Sequence, residues 1–154
     1  LNIYLQYKNV DLTMFWQGVQ GVDVISDLKR ETDLWSGLNI SNLNKGRRML
    51  DAWSPVNMDS NIPAVSIMDN NNEKRVSSYF VENGSFAKLR TIQLGYNVPK
   101  SLCEKLHLAR LRAYVSAQNL LTIKSCGFTG VDPENANFGY PIPVNATLGV
   151  NVSF

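Results

Sequence analysis

The amino-acid sequence predicts an all-β fold, with antiparallel strands forming the C-terminal part of a transmembrane β-barrel and long extracellular loops containing a short helix. Three observations carry this prediction. Apolar and polar residues alternate with period two, and the last three alternating stretches reach or exceed the roughly 9–11 residues that a tilted strand needs to cross a bilayer. The connections alternate between short and very long, as in barrels with tight turns on one side of the membrane and long loops on the other. The polar parity is rich in Asn, Thr, Ser, Gln and Arg, which suits a wet lumen better than the outer side of a soluble sandwich.

Taken in order, the strands fall at about 1–8, 11–19, 86–98, 109–123 and 144–154, with external loops over about 20–84 and 125–143. In the first, Leu1, Ile3, Leu5 and Tyr7 alternate with Asn2, Tyr4, Gln6 and Lys8; a turn at Lys8-Asn9-Val10 leads into the second, where Leu12, Met14 and Trp16 share a parity. Alternation then stops. The Asn-, Asp-, Ser- and Gly-rich stretch that follows carries a short helix over about Asn42 to Trp53, with Met49, Leu50 and Trp53 on one side and Pro55 just past its end. A connection this long tends to be functional. In the third strand Ile92, Leu94 and Tyr96 oppose Thr91, Gln93 and Gly95, but Lys88 and Arg90 fall on the apolar parity, so the first half of this strand is expected outside lipid. Pro99 stops it and opens one or two helical turns over Lys100 to Leu106. The fourth sets Leu111, Ala113, Val115 and Ala117 against Arg110, Arg112, Tyr114, Ser116 and Gln118. The last strand is the most regular: Val144, Ala146, Leu148, Val150, Val152 and Phe154 form one face, and small polar residues form the other.

The totals narrow the function classes. A net charge of +2 is too weak to argue for a nucleic-acid partner. No apolar run approaches the roughly 18 residues of a spanning helix, which leaves spanning by strands open. The chain opens at Leu1 inside an alternating stretch and reads as a piece of something longer, because five strands cannot close a barrel whose smallest examples have about eight. Cys103 and Cys126 form no CxxC pattern and are expected as free, buried thiols. Asp132 and Glu134 fall short of the ligand count of a calcium loop and fit an Asp-Pro turn. His107 is the only histidine, and there is no triad, zinc motif, P-loop or GxGxxG; no enzyme, metal or cofactor is expected.

Several blocks resemble one family. Tyr79-Phe80-Val81-Glu82-Asn83-Gly84-Ser85-Phe86 leads through Lys88-Leu89-Arg90 into Leu94-Gly95-Tyr96-Asn97-Val98-Pro99. Leu111-Arg112-Ala113-Tyr114-Val115-Ser116-Ala117-Gln118-Asn119-Leu120 follows, then Gly130-Val131-Asp132-Pro133-Glu134, and finally Leu148-Gly149-Val150-Asn151 before Phe154. Trp53-Ser54-Pro55-Val56-Asn57 with Ile62-Pro63 stands in the first loop. Together, in this order, they resemble the SusC/RagA family of TonB-dependent outer-membrane transporters. The resemblance implies a barrel of about 22 strands with a plug, of which residues 1–154 would supply roughly the last five. It implies import of glycan oligosaccharides or peptides across the outer membrane. It also implies a SusD-like surface lipoprotein, the TonB complex acting through an N-terminal part, and the barrel-assembly machinery as partners.

Candidate sites follow from position. Trp35, Phe138 and Tyr140 in the loops are open between stacking on sugar rings and packing within the loop, whereas Trp53 is expected to pack. Tyr114 and Gln118 lie on the lumen parity; Arg110 and Arg112 share it and are read as hydrogen-bonding across the wet interior. Val150, Val152 and Phe154 resemble a terminal assembly signal. Two rival readings remain: a soluble secreted β-domain binding glycans through loop aromatics, and a passive porin-like barrel end.

Overall fold

The computed structural model describes residues 1–34, 44–68, 72–137 and 139–154. In chain order the elements are β1 (Asn2–Tyr7), β2 (Val10–Val19), β3 (Asp23–Ile25), α1 (Asp27–Thr32), β4 (Val81–Asn83), β5 (Phe86–Asn97), α2 (Lys100–Lys105), β6 (Arg110–Lys124) and β7 (Asn145–Ser153), with 3-10 turns at Arg47–Asp51 and Ser78–Phe80. They fall into two compact units. The sheet unit comprises Leu1–Gln20, Phe86–Lys124 and Ile142–Phe154; the loop unit comprises Gly21–Ser85 and Ser125–Pro141.

The sheet unit is one five-stranded antiparallel sheet in the order β1-β2-β5-β6-β7. Register aligns whole rows across it. Gln6, Asp11, Gly95, Tyr114 and Gly149 make one row; the neighbouring row, on the opposite face, is Leu5, Leu12, Leu94, Val115 and Leu148. Cross-strand partners share a face, so binary alternation along each strand becomes one apolar and one polar surface. On the apolar surface Leu5, Leu94, Val115 and Leu148 are 43–84% exposed. A sandwich would bury that row; an apolar sheet face left open is what lipid contact requires. The sheet is also open, since β1 and β7 each pair on one side only.

A local irregularity corrects one expectation. Thr91 faces Phe15 and Gln118, yet Leu89 faces Trp16 and Leu121: against β2 the extra residue is Arg90, and against β6 two residues, Asn119 and Leu120, stand opposite Arg90. Asn119, beside it on β6, takes a left-handed φ of 55°. The offset reverses the parity of β5. Lys88 pairs with Gln17 and Thr122 and joins the polar face, while Leu89 joins Trp16 and Leu121 on the apolar one. Unbroken alternation had placed Lys88 on the apolar side; an extra residue swaps the faces, and the reason for excluding this half-strand from lipid disappears.

The loop unit has a conventional core in which Leu34, Ala52, Phe80 and Phe128 are buried. Tyr79 meets Phe80 edge to face at 5.1 Å. β3 and β4 form a short antiparallel pair, and α1 begins directly after β3. Ser26 caps α1, its Oγ accepting from the Lys29 N–H at 3.3 Å, with Asp27 in the first turn. The helix expected over Asn42 to Trp53 is only a five-residue 3-10 turn, Arg47–Asp51 (residues 42 and 43 lie outside the described ones). Its apolar residues do not form a buried side: Leu50 is 82% and Trp53 44% exposed. Met49, Leu50 and Trp53 are too few apolar residues to anchor a full helix, and Pro55 ends the segment early. Both cysteines are free, but only Cys103 is buried; Cys126 is exposed, in a turn with Gly127.

Candidate functional site

The best-organised polar constellation stands on the sheet's polar face, near the end that carries the two short connections. Arg112 on β6 reaches across β5 to Asp11 on β2. Its Nε donates to Asp11 Oδ1 at 3.1 Å and its Nη2 to Oδ2, a bidentate pair. Asp11 is buried. The strand between them is crossed at Gly95, where a Cβ would collide with the Arg112 guanidinium and lie 2.6 Å from Asp11 Oδ2. The glycine of the Leu94-Gly95-Tyr96 block thus keeps a path open for an ion pair two strands wide. Asn97 Nδ2 donates to Asp11 Oδ1 at 2.9 Å, and its Oδ1 accepts from Arg110 Nη2 at 3.0 Å. The Gln93 amide, oriented with its oxygen toward Arg112, accepts from Nη1 at 3.1 Å.

Tyr114 extends the constellation. Its ring lies over Gly149 of β7, where a Cβ would overlap it, and Arg112 Cζ sits 5.4 Å from its centroid. Gln118, two rows on, pairs with Thr91 and Asn145. This wall offers hydrogen-bond donors and acceptors, and among the described residues it shows no nucleophile hydrogen-bonded to a base. Asp11 escaped the sequence reading. The signal was a lone carboxylate on the polar parity of a strand, and only the register places it opposite Gly95 and within reach of Arg112.

The loop unit holds a second, buried polar network. Glu82 on β4 accepts from the Thr129 N–H at 2.9 Å and hydroxyl at 2.7 Å, and meets Lys29 Nζ at 3.1 Å. Burial opposes ionisation of Glu82, but the two Thr129 bonds and Lys29 outweigh it and hold the carboxyl below its ordinary range. Asp33, fully buried, accepts from Tyr79 Oη at 2.8 Å and Arg48 Nη2 at 2.9 Å. Burial, together with the neighbouring Asp33, pushes the Tyr79 phenol well above its usual range. An Asx turn closes on Asp132, whose Oδ1 accepts from the Glu134 N–H at 3.0 Å.

Of the loop aromatics singled out by sequence, Tyr140 is 98% exposed; Trp35 and Phe138 lie outside the described residues. Val150 and Phe154 are exposed on the apolar side of the last strand's alternation, and Val152 pairs with Leu111.

No protein-family model matches the chain. Among solved structures, the RagAB peptide importer in its open-open state superposes with a TM-score of 0.76 at 28% identity, over 96% of this chain and 16% of that one. A structure titled as the RagAB peptide transporter gives 0.70 at 26% identity, over 97% and 16%. An open antiparallel sheet with one bare apolar face and one hydrogen-bonded polar face, alike in fold to those, is a segment of an outer-membrane β-barrel. TonB-dependent receptors P3 and P26 of Formosa agariphila are 34% and 32% identical to it, each over 97% of the chain. The chain belongs to the TonB-dependent receptors of the outer membrane. It spans only 15% and 16% of the length of those two relatives.

Proposed function

We propose that this chain is part of an energy-coupled outer-membrane importer. The apolar face of β1, β2, β5, β6 and β7 contacts lipid and the polar face lines the lumen. The long connections stand outside the cell and the short ones, at Lys8-Asn9 and α2, face the periplasm. The observation that carries this is the sheet's division into an apolar face and a mainly polar one, in a chain whose solved neighbours are titled a peptide importer. The cargo in this reading is a peptide or a glycan oligosaccharide. The RagAB titles favour the peptide, and the exposed Tyr140 suits either, by stacking on a sugar ring or packing on an apolar side chain.

In the same reading a SusD-like lipoprotein works over the loops and the TonB complex supplies energy through a part of the protein beyond this chain. Tyr114 and Gln118 face the path of the cargo or the plug, and Trp35, Phe138 and Tyr140 are further candidates for contact with the cargo. Val150, Val152 and Phe154 serve the barrel-assembly machinery; removal of Phe154 is expected to lower the surface level of the full-length protein, and an unchanged level contradicts that role.

The test is uptake. Cells with the gene disrupted are compared with wild type for entry of labelled oligopeptides and oligosaccharides, with and without an uncoupler of the proton gradient. Loss of one cargo class, reproduced by the uncoupler, supports an energised importer. Uptake lost on disruption but indifferent to the uncoupler supports a passive pore, and unchanged uptake removes the transport reading.

A further inference from the structure

Charge is divided unevenly between the two units. The sheet unit carries eight lysines and arginines against two carboxylates, Asp11 and Glu104, whereas the loop unit carries seven against eleven. Of the two carboxylates, Asp11 is already engaged by Arg112 and Asn97. The cations at the short-connection end are therefore left without a carboxylate of their own unit in their hollow.

That hollow has a volume of about 330 Å³ and includes Lys8, Lys100 and Arg110 in its wall. Val98, Pro99, Cys103 and Ala109 line it as well, so cations and apolar side chains share one hollow. It shares Gln6, Asn97 and Arg110 with the hollow of about 540 Å³ that runs over Asp11 and Arg112. Arg110 is held by one bond only, from Nη2 to Asn97 Oδ1, and its Nε and Nη1 have no hydrogen-bond partner among the described residues. Nη2 carries a second hydrogen, parallel to one on Nη1 or Nε, so a guanidinium held by Asn97 at one hydrogen still presents two parallel donors, the geometry a carboxylate takes up. Each lysine adds a point charge, Lys8 over the Tyr7 ring at 5.3 Å and Lys100 at the first position of α2.

We infer that this Lys8–Lys100–Arg110 hollow is a docking site for an acidic polypeptide segment, whose carboxylate pairs with Arg110 between the two lysines while a neighbouring apolar side chain rests on Val98 and Pro99. A free anion would use the cations and leave the apolar lining bare. An apolar segment would use that lining and leave three cations desolvated. A peptide with a carboxylate beside an apolar side chain satisfies both, and the volume suits a short stretch of chain. The site is independent of which cargo the protein carries.

The experiment uses outer membranes containing the complete gene product. A water-soluble carbodiimide joins amines to carboxylates in contact, and mass spectrometry maps the products. Lys8 and Lys100 are expected to join to aspartates or glutamates of a single acidic segment. Arg110→Gln, or high salt, is expected to lower the yield about tenfold, the effect of losing one charge-assisted contact. Lys8→Arg and Lys100→Arg keep the charge but remove the reactive amine, so each should abolish only its own product and leave the other; this arm holds even if Arg110→Gln fails to assemble. Three results overturn the inference. One is the absence of Lys8 and Lys100 products while Lys105 reacts. A second is products only with Glu104 or with carboxylates scattered over many segments. The third is protection of both lysines by phosphatidylglycerol vesicles or inorganic phosphate, which would make the occupant a phosphate.

Discussion

The sheet unit and the loop unit are stabilised in opposite ways. Of the six buried apolar residues among the described ones, Leu34, Ala52, Phe80 and Phe128 belong to the loop unit, and Leu89 and Cys103 to the sheet. The loop unit is built as a small water-soluble protein is, around an apolar core, with the buried Glu82 satisfied by Thr129 and Lys29 and the buried Asp33 by Tyr79 and Arg48. The sheet turns its apolar residues outward and keeps its polar ones together, with the backbone ladder and the Asp11–Arg112 pair as its internal ties. An apolar face without a core is stable only where the surroundings are themselves apolar. The contrast therefore assigns each unit its solvent: lipid and a wet lumen for the sheet, water for the loops.

Substitutions can break this contrast one unit at a time. The largest effect is expected at Gly95→Val, which fills the path of the ion pair and leaves Asp11 and Arg112 apart, at a loss of about 3–5 kcal/mol. Denaturant unfolding of the detergent-solubilised protein measures it. Asp11→Ala should follow at about 2–3 kcal/mol, since Arg112 then stands on the wall without its carboxylate. Neither change should alter hydrogen exchange in residues 21–34 if the units are stabilised separately.

Glu82→Gln does the converse. It should loosen residues 21–34 and 125–137 in hydrogen exchange by about 1–2 kcal/mol and leave β5 and β6 protected. Acid should imitate it. Glu82 has a folded-state pKa below its ordinary value of 4.5, so its contribution is complete above that value and fades as pH falls through the lowered one. Protection of the loop unit is expected to be flat from neutrality to about pH 5 and to decline below pH 4, and Glu82→Gln should remove that part of the decline. Tyr140→Ala marks the small end, within about 0.5 kcal/mol, because the side chain touches almost nothing.

How much of this was legible in the sequence also follows the division. Strands show in sequence because alternation is local, and β7 runs over Asn145–Ser153 inside the alternating stretch 144–154. What alternation cannot report is a bulge: Arg90 and the left-handed Asn119 moved Lys88 from one face to the other. Ser26 followed by Asp27 is a cap signal that would have found α1, but six residues give too little periodicity to draw attention. The loop unit's tie, Glu82 to Thr129, joins residues 47 apart, and the Asp11–Arg112 pair spans 101. No sequence pattern encodes partners at such separations; the motif glycine Gly95 was visible, and its reason was not.

The division of the sheet into two solvents is tested most directly on β7. With Cys103 and Cys126 replaced by Ser, single cysteines at Ala146, Thr147, Leu148, Val150, Asn151 and Val152 can be spin-labelled in native membranes, and their contact with oxygen and with a water-soluble nickel complex compared. Labels at Ala146, Leu148, Val150 and Val152 should meet oxygen, and those at Thr147 and Asn151 the nickel complex, in strict period two. Equal access of the nickel complex to both sets would place the whole strand in water and contradict the account.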